Sequence, residues 1–376
     1  MSGALTSRET TRPLPQAPLG AIIGHLAGDA VADAGERFHL AALIHSVGRQ
    51  AAMREVASFG SASEALRRIE TLRIEPGVLE RQCNDHGIRL LIPADDTYPP
   101  LLRAIADPPP VLYVRGNPGA LLRPVIAVVG ARRCTRTGAE AAALLAGALA
   151  GSGVCIASGL ARGIDTAAHR AAVSEGMTVA VIGSGLARPY PTANRGLVDA
   201  ILAADGLLLS EYTPWQGARR HHFPERNRLI SGIALGVVVV EAGEQSGSLI
   251  TARMAAEQGR EVCAVPGAIT SPVSRGCHRL IKQGAALVES AADVLEVVGL
   301  AGSPSAVPAP NGDSVQPEDR ELARILAVVE ATVTTLDEIV TVTGLAGETA
   351  SAALVELELS GFVRQVPGGY IRRPLR

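Results

Sequence analysis

The chain has 376 residues, 47% hydrophobic and 19% charged, with a formal net charge of −2 at pH 7. That length and balance fit two or three folded domains and exclude a disordered chain, and a near-neutral total means that any surface for a polyanion must be local. Aromatic residues are only 3%, which limits base stacking, and Lys282 is the only lysine, so arginine carries the rest of the positive charge.

Residues 1–18 are polar and proline-bearing and read as a disordered tail. Residues 19–85 have helical periodicity: RFHLAALIHSVG, QAAMREVASFGS and ASEALRRIETL read as short helices joined by glycine turns. Some helix–turn–helix pairs of this size touch DNA backbones through the turn. Here the turn Ser46–Val47–Gly48 lacks G-x-G, which favours a scaffold or docking role.

Residues 86–300 form the main expected domain. Prolines at 99, 100, 108, 109 and 110 exclude a long helix near its start, and Ile88–Ile92 and Val111–Val114 are candidate strands against the domain edge. From Pro124 to about Val298 the runs IAVVG, GVCIAS, MTVAVIG, GLLLSE, GVVVVEA and REVCAVPG alternate with alanine-rich helical stretches. Six apolar strands separated by helix-length segments predict a parallel sheet covered on both faces, an α/β Rossmann-like fold that binds ligands at the strands' carboxyl ends. Those ends carry glycine, serine, glutamate or Pro-Gly.

Residues 301–317, rich in Pro, Gly, Ala and Ser, read as a linker. Residues 318–376 give three helical patterns and two strands around Pro367–Gly368–Gly369, the outline of a winged helix. Its nine acids against six bases disfavour duplex binding and favour partner docking.

The stretch Ala127–Asp165 organises the chain. Two apolar runs each deliver a glycine and then an arginine: Gly130–Ala131–Arg132, and Ser158–Gly159–Leu160–Ala161–Arg162–Gly163. Each precedes a helix, so backbone N–H groups and the helix start favour an anion there, and two such turns outline a cradle for more than one phosphate. Phe223, Arg226, Asn227 and Arg228 follow in HHFPERNRLISG. Phe223 could wedge against a base, and the arginines could face a ligand or pair inside with Glu211 or Glu241, pairing being favoured for one of them. Ser246, Gly247, Ser248 and Thr251 sit at a helix start, and Gly267, His278, Arg279 and Lys282 extend the rim. Residues 125–290 hold sixteen basic against twelve acidic groups, so the positive charge is concentrated in this domain.

Catalysis finds little support. Asp165 and His169 stand four apart, and Glu211 and Glu241 end strands, which could make an acid–base set. No activated nucleophile, G-K-[ST] or G-x-G-x-x-G is present, and no metal-spaced cluster exists, so the expectation is a non-enzyme without cofactor or metal. The five cysteines, Cys83, Cys134, Cys155, Cys263 and Cys277, lack C-x-x-C spacing and argue against disulfides or a zinc ribbon. No apolar signal core opens the chain, and the longest apolar run, Ile233–Val240, is too short for a bilayer, so a cytoplasmic protein without membrane contact is expected.

The blocks GARRCTRTG, ASGLARGIDTAAH, GSGLARPYPTAN, SEYTPW, FPERNRLISG, VVVEAGEQSGSLITARMAAEQGREVCAVPG and RGCHRLIKQGAALV, preceded by YPPLLRAIADPPPVLYVRGN, resemble in order the signature blocks of the DprA/Smf DNA-processing proteins. The front module, of SAM/HhH-like type, and the winged-helix tail resemble the flanking domains of longer family members. The resemblance implies an extended Rossmann-like fold that binds and protects single-stranded DNA. It also implies loading of the RecA recombinase in natural transformation and recombination, a homodimer, and no established catalytic activity. The family's usual G-S-R turn has Ala131 in place of serine here, and the asparagine common after the late glycine is His278. A rival is a nucleotide-processing enzyme like the phosphoribohydrolases, whose P-G-G-x-G-T-x-x-E block is missing from the closest stretch, SGSLITARMAAE. A second rival is a sequence-specific regulator acting through the winged helix.

Overall fold

A computed structural model describes residues 34–301, 320–329, 334–359, 362–366 and 369–372. The expected tail at 1–18, the linker beyond residue 301 and the Pro367–Gly368 turn lie outside these residues. The chain divides into two compact units, Met1–Val307 and Pro308–Arg376.

The first unit opens with helices α1 (Ala34–Val47), α2 (Arg49–Phe59), α3 (Ala62–Leu66) and α4 (Pro76–Asp85). Local chemistry sets their ends. Ser61 caps α3 by accepting from the Glu64 N–H, Pro76 starts α4, and Gly60 ends α2 in the left-handed region at φ 82°. Then follow β1 (Ile88–Leu91), α5 (Pro100–Arg103), β2 (Leu112–Gly116), β3 (Val125–Val129), α6 (Arg136–Gly151), β4 (Cys155–Ser158), α7 (Ile164–Glu175), β5 (Thr178–Val181), α8 (Arg195–Ala203) and β6 (Leu207–Ser210). The unit continues with α9 (His222–Gly232), β7 (Gly236–Val239), α10 (Ser248–Glu257), β8 (Glu261–Ala264), α11 (Arg275–Lys282), β9 (Ala286–Leu287) and α12 (Ala291–Val297).

The nine strands make one sheet in the order β1-β2-β6-β5-β4-β3-β7-β8-β9. Pairing is parallel from β6 to β9, while β1–β2 and β2–β6 are antiparallel. The six expected strands are β3 to β8, and the two candidate strands near the domain start extend the sheet as β1 and β2. The order reverses at β3, which lies between β4 and β7, so the crevice of a doubly wound sheet opens where the two glycine–arginine turns leave β3 and β4.

The period of two along β3 divides the core. Val125, Ala127 and Val129 face a layer built from α5, α9, α10 and α11, whereas Ile126 and Val128 face α6, α7 and α12. The first helices join the second side. Leu40, Leu43, Met53, Val56 and Leu79 pack with Ile88, Leu90, Tyr113, Ala180 and Ile182 of the sheet and with Ile201 of α8. Each such aliphatic side chain, fully buried, contributes about 1.5–3 kcal/mol. A polar network reinforces the seam. Arg49 at the start of α2 pairs with Asp107 and with Glu211 after β6, and Arg228 of α9 pairs with the same Glu211 at 2.5 Å.

The second unit comprises α13 (Arg320–Val328), α14 (Leu336–Thr343), α15 (Gly347–Leu359) and the antiparallel pair β10 (Val363–Val366) and β11 (Gly369–Arg372). Ile325, Ile339, Leu354, Leu357 and Val363 form its core, and a Thr335–Glu338 capping box starts α14.

Candidate nucleic-acid interface

The two turns lie in contact, and glycine makes that possible. A Cβ on Gly130 would stand 2.6 Å from Ile164 Cγ1 and 2.9 Å from the Glu241 carbonyl oxygen. Gly163, at φ 82°, has its Cα hydrogen against the Ala131 carbonyl, and the Ile164 N–H donates to that carbonyl at 3.3 Å. The loop after β4 therefore leans on the loop after β3, and both run into helix starts.

Buried polar groups hold each turn from below. The Glu241 carboxylate accepts from the Thr135 N–H at 2.8 Å and the Thr135 hydroxyl at 2.5 Å, and that hydroxyl caps α6 by accepting from the Gly138 N–H. Under the second turn, Asp165 accepts from the N–H groups of Gly159 at 3.0 Å and Ala161 at 3.3 Å. Arg226 donates to the carbonyls of Gly159, at 2.7 Å, and Val181. Leu160 sits at φ 58° with its side chain fully buried, and Asn194 donates to its carbonyl at 2.8 Å. Burial pushes the Asp165 carboxyl above its ordinary range against the pull of Arg226, and burial lowers Arg226 to about 10. This pair is the base on which the second turn rests.

What remains at the surface is a lip. Arg132 and Arg162 are exposed, and among the described residues neither pairs with a carboxylate. The Arg132 guanidinium lies 5.2 Å from the centroid of the half-buried Phe223 ring, and the Tyr190 ring, 48% exposed, is tilted at 52° to that ring with centroids 5.8 Å apart. Two guanidinium groups without a carboxylate partner and two rings can grip phosphates and stack a base. The expected anion-facing amides of the second turn do not join them, because Gly159 is buried and its N–H and that of Ala161 are taken by Asp165. Tyr190 was not singled out in the sequence. Its signal was the PYP tripeptide, a turn that holds a ring outward.

Several predicted contacts belong inside the protein. Ser158 is fully buried, and its hydroxyl donates to the Val128 carbonyl at 2.6 Å, tying β4 to β3. Arg226 is 4% exposed and acts as the strut just described. Arg228 is spent on Glu211 and Asp107. Ser248 and Thr251 are buried at the first turn of α10, with Ser248 hydrogen-bonded to Ser246 at 2.7 Å. Lys282 ends α11, which runs back from the rim, and Gln283–Ala285 lie beside Arg260 and Glu261 at the start of β8, so Lys282 stands at the opposite end of the sheet. A groove of about 970 Å³ runs between α10 and α11 from Glu244–Ser246 in the loop after β7 to Arg260 and Glu261 at the start of β8.

Asn227, Gly247 and Gly267 stay near the rim. The Asn227 amide donates to the Gly247 carbonyl at 3.4 Å, Gly247 is exposed, and Gly267 packs against Ser274 while its carbonyl meets His278 Nε2 at 2.9 Å. The suspected acid–base set is structural. Glu241 and Glu211 are engaged as above, and His169 is fully buried against Thr178 at 2.8 Å, with burial lowering its pKa to about 3.

Residues 89–299 match the family described as DNA recombination-mediator protein A, and residues 308–369 match the DprA winged helix domain. This chain belongs to the DprA/Smf family. It is 43% identical over 290 residues to Protein Smf of Escherichia coli strain K12, covering 75% of this chain and 77% of that one. It is 50% identical over 202 residues to DNA processing protein DprA of Streptococcus pneumoniae, covering 54% of this chain and 71% of that one. The solved DprA of S. pneumoniae superposes with a TM-score of 0.56 at 43% identity, over 62% of this chain and 80% of that one. DNA processing protein A of Helicobacter pylori, whose structural study concerns its single-stranded DNA binding mode, superposes with a TM-score of 0.51 at 28% identity, over 56% of this chain and 94% of that one. Among the described residues no helix is long and apolar enough to cross a membrane.

Proposed function

We propose that this DprA/Smf chain binds single-stranded DNA along the lip, protects it, and loads RecA recombinase onto it during natural transformation and recombination. It acts in the cytoplasm as a homodimer and as a binding protein, not an enzyme. The observation that carries the reading is the pair of exposed, carboxylate-free guanidinium groups of Arg132 and Arg162 on two mutually braced glycine turns. Phosphates are common to every sequence, so binding is expected to be tolerant of base identity. The relatives' names and the H. pylori study point to the same ligand.

The test is oligonucleotide binding by Arg132→Ala. Removing one charge-assisted phosphate contact, worth about 1.5–3 kcal/mol, weakens affinity by about 10- to 150-fold for homopolymeric and mixed single strands alike. Unchanged affinity refutes the lip as the site. The recombinase step is read separately, as the rate at which RecA filaments nucleate on single strands with and without the chain. No acceleration removes that part of the proposal and leaves the binding site intact.

A further inference from the structure

The single tryptophan of the chain, Trp215, is 51% exposed in the segment between β6 and α9. The loop that displays it is firmly built. The Gly185 N–H donates to the Gln216 carbonyl at 2.8 Å, the Ala187 N–H donates to the Pro214 carbonyl at 2.9 Å, and the backbone of Thr213 and Pro214 leaves no space for a Cβ on Gly185. His86, just beyond α4, packs edge-on to the indole with ring centroids 5.1 Å apart and planes at 72°. Sheet and helical module thus each bring one ring to a shared surface.

Arginines lie in the segments next to these rings. Arg73, after α3, and Arg219 both face His45 near the end of α1, whose pKa is lowered first by burial and then by these two guanidinium groups. Arg188 lies beside Gly217, with Nη1 3.7 Å from where a Cβ would stand, and Arg220 follows Arg219 in the chain. All four arginines are exposed, and among the described residues none pairs with a carboxylate. Arg37, Arg49, Arg67 and Arg68 of the same module are paired with acids, whereas Arg54 and Arg81 are exposed without such a partner among the described residues. Arg73 and Arg219 converge on His45, and a polyanion relieves their mutual repulsion. The patch is tied to the lip through the buried His222, whose Nδ1 accepts from the Arg219 N–H at 3.3 Å and whose next residue is Phe223.

We propose that Trp215 and His86, flanked by Arg73, Arg188, Arg219 and Arg220, form a second contact for the same single strand, with bases stacking on the indole and phosphates lying among the guanidinium groups. This rests on the reading of the lip. It gives the helical module a part in holding the strand through side chains, without any backbone-binding turn.

The lone tryptophan makes the test direct. The full chain is titrated with oligothymidylates of increasing length, reading indole emission together with the anisotropy of a labelled strand. Strands too short to leave the lip are expected to raise anisotropy without moving the emission, and longer strands to quench it. Trp215→Ala should then weaken binding of the long strands by about 5- to 150-fold, the equivalent of about 1–3 kcal/mol for one stacked base, with Trp215→Phe restoring most of it. Arg73→Ala should make the salt dependence of long-strand binding shallower by about 0.7 in log–log slope. Strands of every length that bind with unmoved emission, and with affinities indifferent to Trp215→Ala and Arg73→Ala, overturn the second contact and leave the lip standing. No anisotropy change with the unaltered chain overturns the lip, and this proposal with it.

Discussion

Replacing Arg226 by methionine separates a strut from a ligand contact. In the folded chain its guanidinium satisfies the carbonyls of Gly159 and Val181 and faces the buried carboxylate of Asp165. Methionine fills similar space but leaves two carbonyls without that donor and one carboxylate without its counter-charge. Stranding two buried carbonyls and leaving a buried carboxylate without the nearby charge costs about 2–5 kcal/mol, a large share of the roughly 5–15 kcal/mol by which folded domains are stable. The assay is urea unfolding followed through Trp215 emission, with oligonucleotide binding measured well below the midpoint. Adding Asp165→Asn removes the stranded charge while keeping an acceptor for the Gly159 N–H, so the double variant should recover about half of the loss. If Arg226→Met unfolds within about 1 kcal/mol of the unaltered chain yet no longer binds single strands, Arg226 touches DNA and its assignment as a strut is wrong.

Four further outcomes follow from the same geometry. Gly163→Ala should destabilise by about 1–3 kcal/mol, because its φ of 82° and the Ala131 carbonyl both oppose a side chain. Gly247→Ala, at φ −61° with open space around it, should be neutral or slightly stabilising in the same unfolding experiment. His169 is neutral in the fold because burial holds its pKa near 3, whereas the unfolded chain takes up a proton near 6.5. Its contribution to stability is therefore present above pH 6.5 and is lost as pH falls toward 3. His169→Asn should flatten that part of a stability-against-pH curve, and an unchanged acid limb would count against the buried neutral ring. Phe223→Ala should weaken single-strand binding by about 1–3 kcal/mol if the ring stacks a base, measured by anisotropy at fixed salt.

Much of the fold was legible in the sequence because buried parallel strands have to be apolar on both faces. VIAVV and GVVV can hardly be read otherwise, and the helix-length gaps between such runs give the parallel connections. Strand β9 escaped because two residues carry no period. The site was legible as far as the backbone decides it. A glycine followed by an arginine after a strand announces a tight turn beside a helix start, and Arg132 and Arg162 are indeed exposed there. Which other arginines face outward was not legible. Arg226 and Arg228 lie two apart on α9 and so point to different sides, yet both directions meet buried acceptors, Gly159 and Val181 for one and Glu211 for the other. Only the packing of α9 against the strand ends shows that, since local sequence does not encode the distance to Glu211, 17 residues away. Trp215 was equally hidden, because a lone aromatic in a loop reads as core until its loop is seen to turn it outward.

The most direct test of the account is the salt dependence of single-strand affinity for the unaltered chain and for Arg132→Ala/Arg162→Ala. Two lost phosphate contacts should make the log–log slope shallower by about 1.4, to the same extent for every base composition. A slope and affinity identical to those of the unaltered chain would contradict the claim that these two guanidinium groups hold the DNA backbone.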